Sequence, residues 1–247
     1  MGDKVLTYKD HVLRTSDLDV LEGPCFLNDQ VIGFYFSYLS SLSCQDDVAF
    51  VPPSVSFWLA NCDVDSRKDA VEPLKLPSKR LVFFTVNDSD DLDGGESGTH
   101  WSTLIYDRSK NIFLHLDSMQ GMNHDHAFKL FDSVKEYMGK SHVPVQPILK
   151  GGKKQQKKKD ATEPAIKTAN MEPLFEEFDV PQQTNGYDCG IYVLAIAKAI
   201  CEFNLSGKND NQADWLSFVQ KHVDTSIEMT LRNEIMLLIE VLRKRNN

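Results

Sequence analysis

The segment Gly190-Ile191-Tyr192-Val193-Leu194-Ala195-Ile196-Ala197-Lys198-Ala199-Ile200-Cys201-Glu202-Phe203 carries a single charge, Lys198, before Glu202. A helix that is apolar nearly all round has no polar face to give to water, so it must lie inside a core built from other elements. Immediately upstream stands a polar run, Gln182-Gln183-Thr184-Asn185-Gly186-Tyr187-Asp188-Cys189. The boundary between the two falls at Cys189. A thiol at a helix N-terminus meets unpaired backbone N–H groups and the positive end of the helix dipole, and both favour thiolate over thiol.

Around that helix the sequence predicts a mixture of strands and helices without βαβ regularity, hence an α+β fold with a sheet covered by helices. Apolar residues at 27, 31, 35, 38 and 42 form a helical stripe, with Asn28 or Asp29 available as its cap. Leu81 to Val86 reads as a buried strand, and two more follow at Trp101–Tyr106 and Ile112–Leu116, joined by a turn over residues 107 to 111. Residues 124 to 138 read as helix, and 143 to 149 and 174 to 180 as extended. A final helix carries Ile227, Leu231, Ile235, Leu238 and Leu242, closed by Arg243, Lys244 and Arg245 where the dipole favours cations. The chain of 247 residues is expected to form one domain, 1–247. It is interrupted at about 150–170 by a mobile insertion with six lysines between Lys150 and Lys159, too polar to bury. The bland reading is a solvated insertion; a nuclear-import or acidic-partner patch is the alternative.

A net charge of -9 argues against general nucleic-acid binding, and no apolar run reaches the length of a membrane span. The N-terminus has no apolar signal core. The five cysteines, 25, 44, 62, 189 and 201, are odd in number and include no CxxC pair, which disfavours disulfide frameworks and zinc fingers. A reducing compartment, cytoplasmic or nuclear, is expected, with a monomer because no long coiled-coil pattern occurs.

A nucleophilic cysteine needs a base, and the base needs an orienting group. Among seven histidines, His100 sits where the acidic, Gly-rich stretch 88–98 gives way to a strand, a position that presents side chains at a site rim. Asp117 ends the strand Ile112–Leu116. A hairpin centred on 107–111 sets it opposite about position 101, within reach of the His100 ring. Gln183, six residues before Cys189, can aim an amide N–H at a developing oxyanion, with the Cys189 backbone N–H as a second donor. A metal site from His115, Asp117, His124 and His126 is the competing reading, but no pair has the i, i+4 spacing of a zinc hydrolase helix.

The arrangement His100-Trp101, Asp117, Gln183 and Asp188-Cys189-Gly190 resembles the ubiquitin-like-modifier proteases of the SUMO-protease type. Phe26-Leu27-Asn28-Asp29 is similar to the aromatic-Leu-Asn-Asp stretch that opens that family's first long helix. Papain-like enzymes order the pair the other way, Cys first and His far downstream. VLTYKDHVLRTSDLDVL, EPLKLPSKRLVFFTVND, GTHWSTLIY and QQTNGYDCGIYV look most like the deneddylase branch, which acts on the Nedd/Rub modifier. The resemblance implies a papain-like-type cysteine protease core that cuts after a C-terminal Gly-Gly, in precursor maturation and in deconjugation of conjugates. It also implies catalytic His100, Asp117 and Cys189 with Gln183 in the oxyanion hole, and no cofactor or metal. Trp101 and position 26 would wall a narrow tunnel over the two glycines, and Asn28 and Asp29 would line the neighbouring groove. Where the family has Trp at that position this chain has Phe26, which loses the indole N–H and some area. The acidic side chains of Asp88, Asp90, Asp91, Asp93 and Glu96 are expected either to attract a basic modifier tail or to be simply solvated. The alternatives are the same chemistry on SUMO or ubiquitin, acetyl transfer on the same Cys-His-Asp scaffold, and a catalytically silent modifier-binding module.

Overall fold

The computed structural model describes residues 2–42, 47–91, 98–138, 172–206 and 214–246. In chain order the elements are β1 (Lys4–Tyr8), β2 (His11–Arg14), α1 (Thr15–Glu22), α2 (Asp29–Leu42), β3 (Val48–Phe50), α3 (Pro53–Asn61), α4 (Val64–Val71), β4 (Leu81–Asn87), β5 (Trp101–Asp107), β6 (Ile112–Leu116), α5 (His124–Val134), β7 (Leu174–Phe178), α6 (Cys189–Leu205), α7 (Trp215–His222) and α8 (Ile227–Asn246). A 3-10 turn, Lys135–Met138, extends α5 to the end of the expected helical stretch. The extended segment expected at 143–149 and the Lys-rich stretch 150–170 lie outside the described residues. Among the described residues no helix is long and apolar enough to cross a membrane.

β3 to β7 form one mixed sheet in sequence order. β4, β5 and β6 are antiparallel neighbours, while β3 and β7 join the edges parallel to β4 and β6. Period-2 alternation divides its side chains between two cores. Leu81, Phe83, Ile105, Leu114 and Leu116 face α2, α6 and α8. Val82, Phe84, Val86, Leu104, Tyr106 and Phe113 face α3 and α5. A sheet covered on both faces needs no polar alternation, which is why β4 reads Leu-Val-Phe-Phe-Thr-Val.

Helix α6 buries 13 of its 17 residues and runs through the larger core, as its apolar composition requires. Its first turn lies against the loop before α2. A Cβ added to Gly190 would sit 2.9 Å from Leu27 Cβ, so only glycine lets that loop approach so closely. Asn28 caps α2: its Oδ1 accepts from the Val31 N–H at 3.0 Å, and its Nδ2 donates to Asp17 Oδ1 at 2.8 Å.

Candidate active site

Three element ends meet beyond one end of the inner strands of the sheet: the residue before β5, the residue after β6, and the first residue of α6. The β5–β6 register pairs Thr103 with Leu116, so Asp117 continues opposite Ser102. The sequence places it opposite about 101, one residue away. The difference comes from the turn. Four residues, 108–111, separate the paired Asp107 and Ile112, and Asn111 closes it in the left-handed conformation at φ 51°, its Oδ1 accepting from the Tyr106 hydroxyl.

The His100 ring and the Asp117 carboxylate meet nonetheless. His100 Nε2 lies 2.6 Å from Asp117 Oδ1, and the Met119 and Asn123 N–H groups donate to Oδ1 and Oδ2 at 2.9 and 3.1 Å. Cys189, the first residue of α6, lies close enough to the same ring to act on its charge. Burial works against a charged imidazolium, but the hydrogen bonds and charges of Asp117 and Cys189 outweigh it and raise the His100 pKa to about 9. Burial also works against a charged Asp117. His100 and the two backbone donors overcome it and hold the carboxyl below its ordinary range.

The His100 backbone is fixed from behind by Asp88. Its Oδ1 accepts from the Thr99 and His100 N–H groups at 2.6 and 2.9 Å, and its Oδ2 from the Thr99 hydroxyl. Asp90 pairs with Lys129 and, at 3.6 Å, with His126. Asp88 is thus engaged within the protein, whereas the Asp90 side chain is 70% exposed and Asp91 is exposed as well. Asp93 and Glu96 lie outside the described residues.

Gln183 is held on both sides. Its N–H donates to the Ser118 carbonyl at 3.0 Å, its Oε1 accepts from the Ser118 hydroxyl at 2.7 Å, and its Nε2 donates to the Asn185 carbonyl at 2.6 Å. An amide nitrogen has a second N–H, which remains for another acceptor. Gln182 Nε2 donates to the Asp117 carbonyl at 3.0 Å, so the two glutamines tie the Asp117 turn to the strand of residues that leads into Cys189.

On the opposite side, Trp101 Nε1 donates to the Leu27 carbonyl at 2.8 Å. That bond joins the first residue of β5 to the loop bearing Phe26, whose side chain is 44% exposed. Asn28 has both polar ends of its side chain engaged within the protein, as cap and as partner of Asp17. Asp29 is half-buried in the first turn of α2, and burial raises its pKa.

The histidines of the competing metal reading go elsewhere. His115 is buried between Ser102 Oγ (2.8 Å) and Glu177 (2.8 Å), and His124 joins the same Glu177. Among the described residues no group of three or more His, Cys, Asp or Glu side chains is arranged to hold a metal ion. Cys25, Cys62, Cys189 and Cys201 are free thiols, and burial pushes Cys201 up to about 12, which makes it unreactive at neutral pH. Cys44 lies outside the described residues.

Two residues that hold the site escape a reading of the sequence. Asn123 precedes α5 where a capping side chain is expected, yet it makes no cap bond; its Nδ2 turns inward to Ser102 Oγ at 3.1 Å. Arg232 looks like any charged residue beside the apolar stripe of α8, but it is buried and bonded to Asp188. No local signal marks either one.

Residues 26–230 match the family described as Ulp1 protease family, C-terminal catalytic domain. The chain is 39% identical over 242 residues to NEDD8-specific protease 1 of Arabidopsis thaliana, covering 97% of this chain and 94% of that protein. It is 35% identical over 207 residues to Sentrin-specific protease 8 of Homo sapiens, covering 82% and 83%. Among solved structures, it superposes on the C-terminal Ulp1 protease domain in complex with Smt3, the yeast ortholog of SUMO, with a TM-score of 0.59 at 19% identity, covering 98% and 89% of the two chains. A de-sumoylating protease superposes with a TM-score of 0.62 at 15% identity, covering 98% and 92%. At those identities the structural likeness bears on the fold.

Proposed function

The chain belongs to the Ulp1 protease family and is a cysteine peptidase of it, and on that premise we propose that it cleaves after the C-terminal Gly-Gly of a Nedd/Rub-type modifier, both in precursors and in conjugates. The observation that carries the reading is the buried His100–Asp117 pair, 2.6 Å apart, whose ring also feels Cys189 at the N-terminus of the buried helix α6. The modifier is supported by 39% identity, over nearly the whole chain, to a relative named for NEDD8.

In this reading Cys189 is the nucleophile, His100 the acid and base, and Asp117 the group that orients the ring. A His100 pKa of about 9 favours the protonated ring at neutral pH, so the acid that the leaving amine requires is in place. Cys189 Sγ attacks the carbonyl carbon of the terminal glycine. The oxyanion takes N–H donors from Gln183 and the Cys189 backbone. As the tetrahedral intermediate collapses, His100 gives its proton to the leaving amine, a peptide nitrogen in a precursor or a lysine nitrogen in a conjugate. A thioester remains. Neutral His100 then takes a proton from water, hydroxide adds to the thioester, and the modifier leaves with a free carboxylate as His100 and Cys189 return to their starting pair.

Trp101 and Phe26 would confine the two glycines, where any side chain would collide, so selection at the cut is steric. The modifier's globular body supplies affinity and thereby places the scissile carbonyl. A thiolate mechanism suits a reducing compartment, cytoplasmic or nuclear.

The test is labelling by modifiers that carry a C-terminal electrophile. A NEDD8-type probe should label wild type at Cys189 and fail to label Cys189→Ser, while Cys189→Ser retains modifier binding. Faster labelling by SUMO or ubiquitin probes would reassign the modifier. Labelling or turnover that survives in Cys189→Ser would remove the nucleophile.

A further inference from the structure

We infer that Arg232 and Glu228, one helical turn apart on α8, are positioning residues for the proposed cleavage and set the two sides of the glycine slot relative to each other. Arg232 Nε and Nη2 donate to Asp188 Oδ1 at 2.9 and 2.6 Å. The same guanidinium donates from Nη1 to the Val20 carbonyl at 2.6 Å and from Nη2 to the Cys25 carbonyl at 2.7 Å. Cys25 immediately precedes Phe26. One planar group therefore joins the residue before the nucleophile to the loop that carries the opposite wall of the slot. Lysine, a point charge on a flexible stem, cannot reproduce that fork.

Glu228 grips the same turn from the other end. Its carboxylate accepts from the Thr184 N–H at 2.7 Å, from the Thr184 hydroxyl, from Asn185 Nδ2 at 3.1 Å and from the Tyr192 hydroxyl at 2.9 Å. Asn185 in turn binds Asp188 Oδ2 through Nδ2 at 2.7 Å, and its Oδ1 accepts from the Tyr187 and Asp188 N–H groups. The segment between Gln183 and Cys189 is thus held at Thr184 and Asn185 by Glu228, and at Asp188 by Arg232.

The arrangement also redirects a helix cap. Asp188 occupies the N-cap position of α6, where a carboxylate ordinarily accepts from the first-turn N–H groups; here it makes no such bond. Its Oδ1 is taken by Arg232 and its Oδ2 by Asn185. A capping carboxylate would have accepted from the N–H groups of Gly190 or Ile191 and placed a negative charge beside the thiol without Arg232 to offset it. Arg232 turns it aside and neutralises it.

This rests on Cys189 being the nucleophile, so the experiment runs Cys189→Ser in parallel. Arg232→Lys and Glu228→Gln are each compared with wild type in the full chain, with active sites counted by the NEDD8-type electrophilic probe. Per active site, kcat on a modifier C-terminal fluorogenic substrate should fall about tenfold to a hundredfold in both variants, with KM within about threefold, as misplacement of a reacting group predicts. Alkylation of Cys189 by iodoacetamide, which needs no slot, should in Arg232→Lys stay within about twofold of wild type, because the charge beside Asp188 is kept. Unchanged kcat per active site in either variant overturns the assignment, as does alkylation by iodoacetamide that drops in parallel with kcat in Arg232→Lys. If Arg232→Lys does not fold, Glu228→Gln alone decides by the same kcat criterion. Turnover persisting in Cys189→Ser would instead overturn the proposed nucleophile.

Discussion

His100 Nε2 and Asp117 Oδ1 lie 2.6 Å apart, with side chains that are only 1% and 2% exposed. In so dry a setting the carboxylate both fixes the imidazole tautomer and favours its protonated form, while burial alone would have driven the proton off.

The sign of the pH dependence follows. A pKa raised from 6.5 to about 9 means that the pair's contribution to stability is complete below the ordinary imidazole value and is lost as pH rises through about 9. The alkaline limb of kcat/KM should lie in that region for wild type. In Asp117→Ala it should move to lower pH, and kcat should fall about a hundredfold or more with little rise in KM. Steady-state kinetics across pH 5 to 10 read both, on the scale of about one unit per tenfold. An alkaline limb that stays where it is in the variant would show that Asp117 does not set the imidazole pKa.

Gly190→Ala introduces a methyl group 2.9 Å from Leu27 Cβ and 3.2 Å from its Cγ, in a core with no slack. Such overpacking typically costs about 1–3 kcal/mol. Because the Leu27 carbonyl also accepts the Trp101 indole, the displaced loop should raise KM for the modifier as well. Urea denaturation and Michaelis kinetics together check it. A variant as stable as wild type would mean that the loop yields freely.

Asp88 acts through hydrogen bonds to the backbone of Thr99 and His100. Burial opposes its ionisation, but those donors prevail and hold its pKa low, so its stabilising effect is present above about 3.8 and is lost only as pH falls through the depressed value. Asp88→Ala should reduce kcat severalfold at every ionic strength, and Asp88→Asn, which keeps an acceptor oxygen, should recover much of it. Were attraction of a basic tail the role, both variants would lose kcat/KM equally at low salt, and the difference from wild type would vanish at high salt.

Asn28 and Asp29 separate two functions that lie side by side in the sequence. Asn28→Ala should destabilise by about 1 kcal/mol through loss of the α2 cap, with kcat and KM nearly unchanged, and Asn28→Ser should restore most of that stability. Asp29→Asn should leave stability close to wild type and raise KM for the modifier. Thermal denaturation and kinetics on the four proteins decide. A KM effect confined to Asn28→Ala would reverse the two roles.

Where an element is written in a long local pattern, the sequence was sufficient to find it. The apolar run after Cys189 became α6, the stripe from Leu27 became α2, and β4, β5 and β6 lie within a residue of their expected bounds. Residues 4–22 and 48–71 hold strands of five, four and three residues and helices of eight and nine, too short for a period to stand out. The β5–β6 register differs by one position from the expected one because Asp107 stays paired with Ile112 and the turn keeps four residues instead of five, which spacing alone does not reveal.

By itself the sequence determined which groups are available for chemistry and on which element ends they stand: a cysteine opening a buried helix, a histidine before one strand, an aspartate after the next. Those facts are local, set by neighbours within a few residues. Tertiary structure alone decided that Arg232 would reach Asp188, Val20 and Cys25 at once, across separations of 44 to 212 residues. It also decided that Asp88 would hold the His100 backbone. Contacts of that kind depend on how every intervening element packs, and no periodicity or spacing along the chain encodes the sum of those packings.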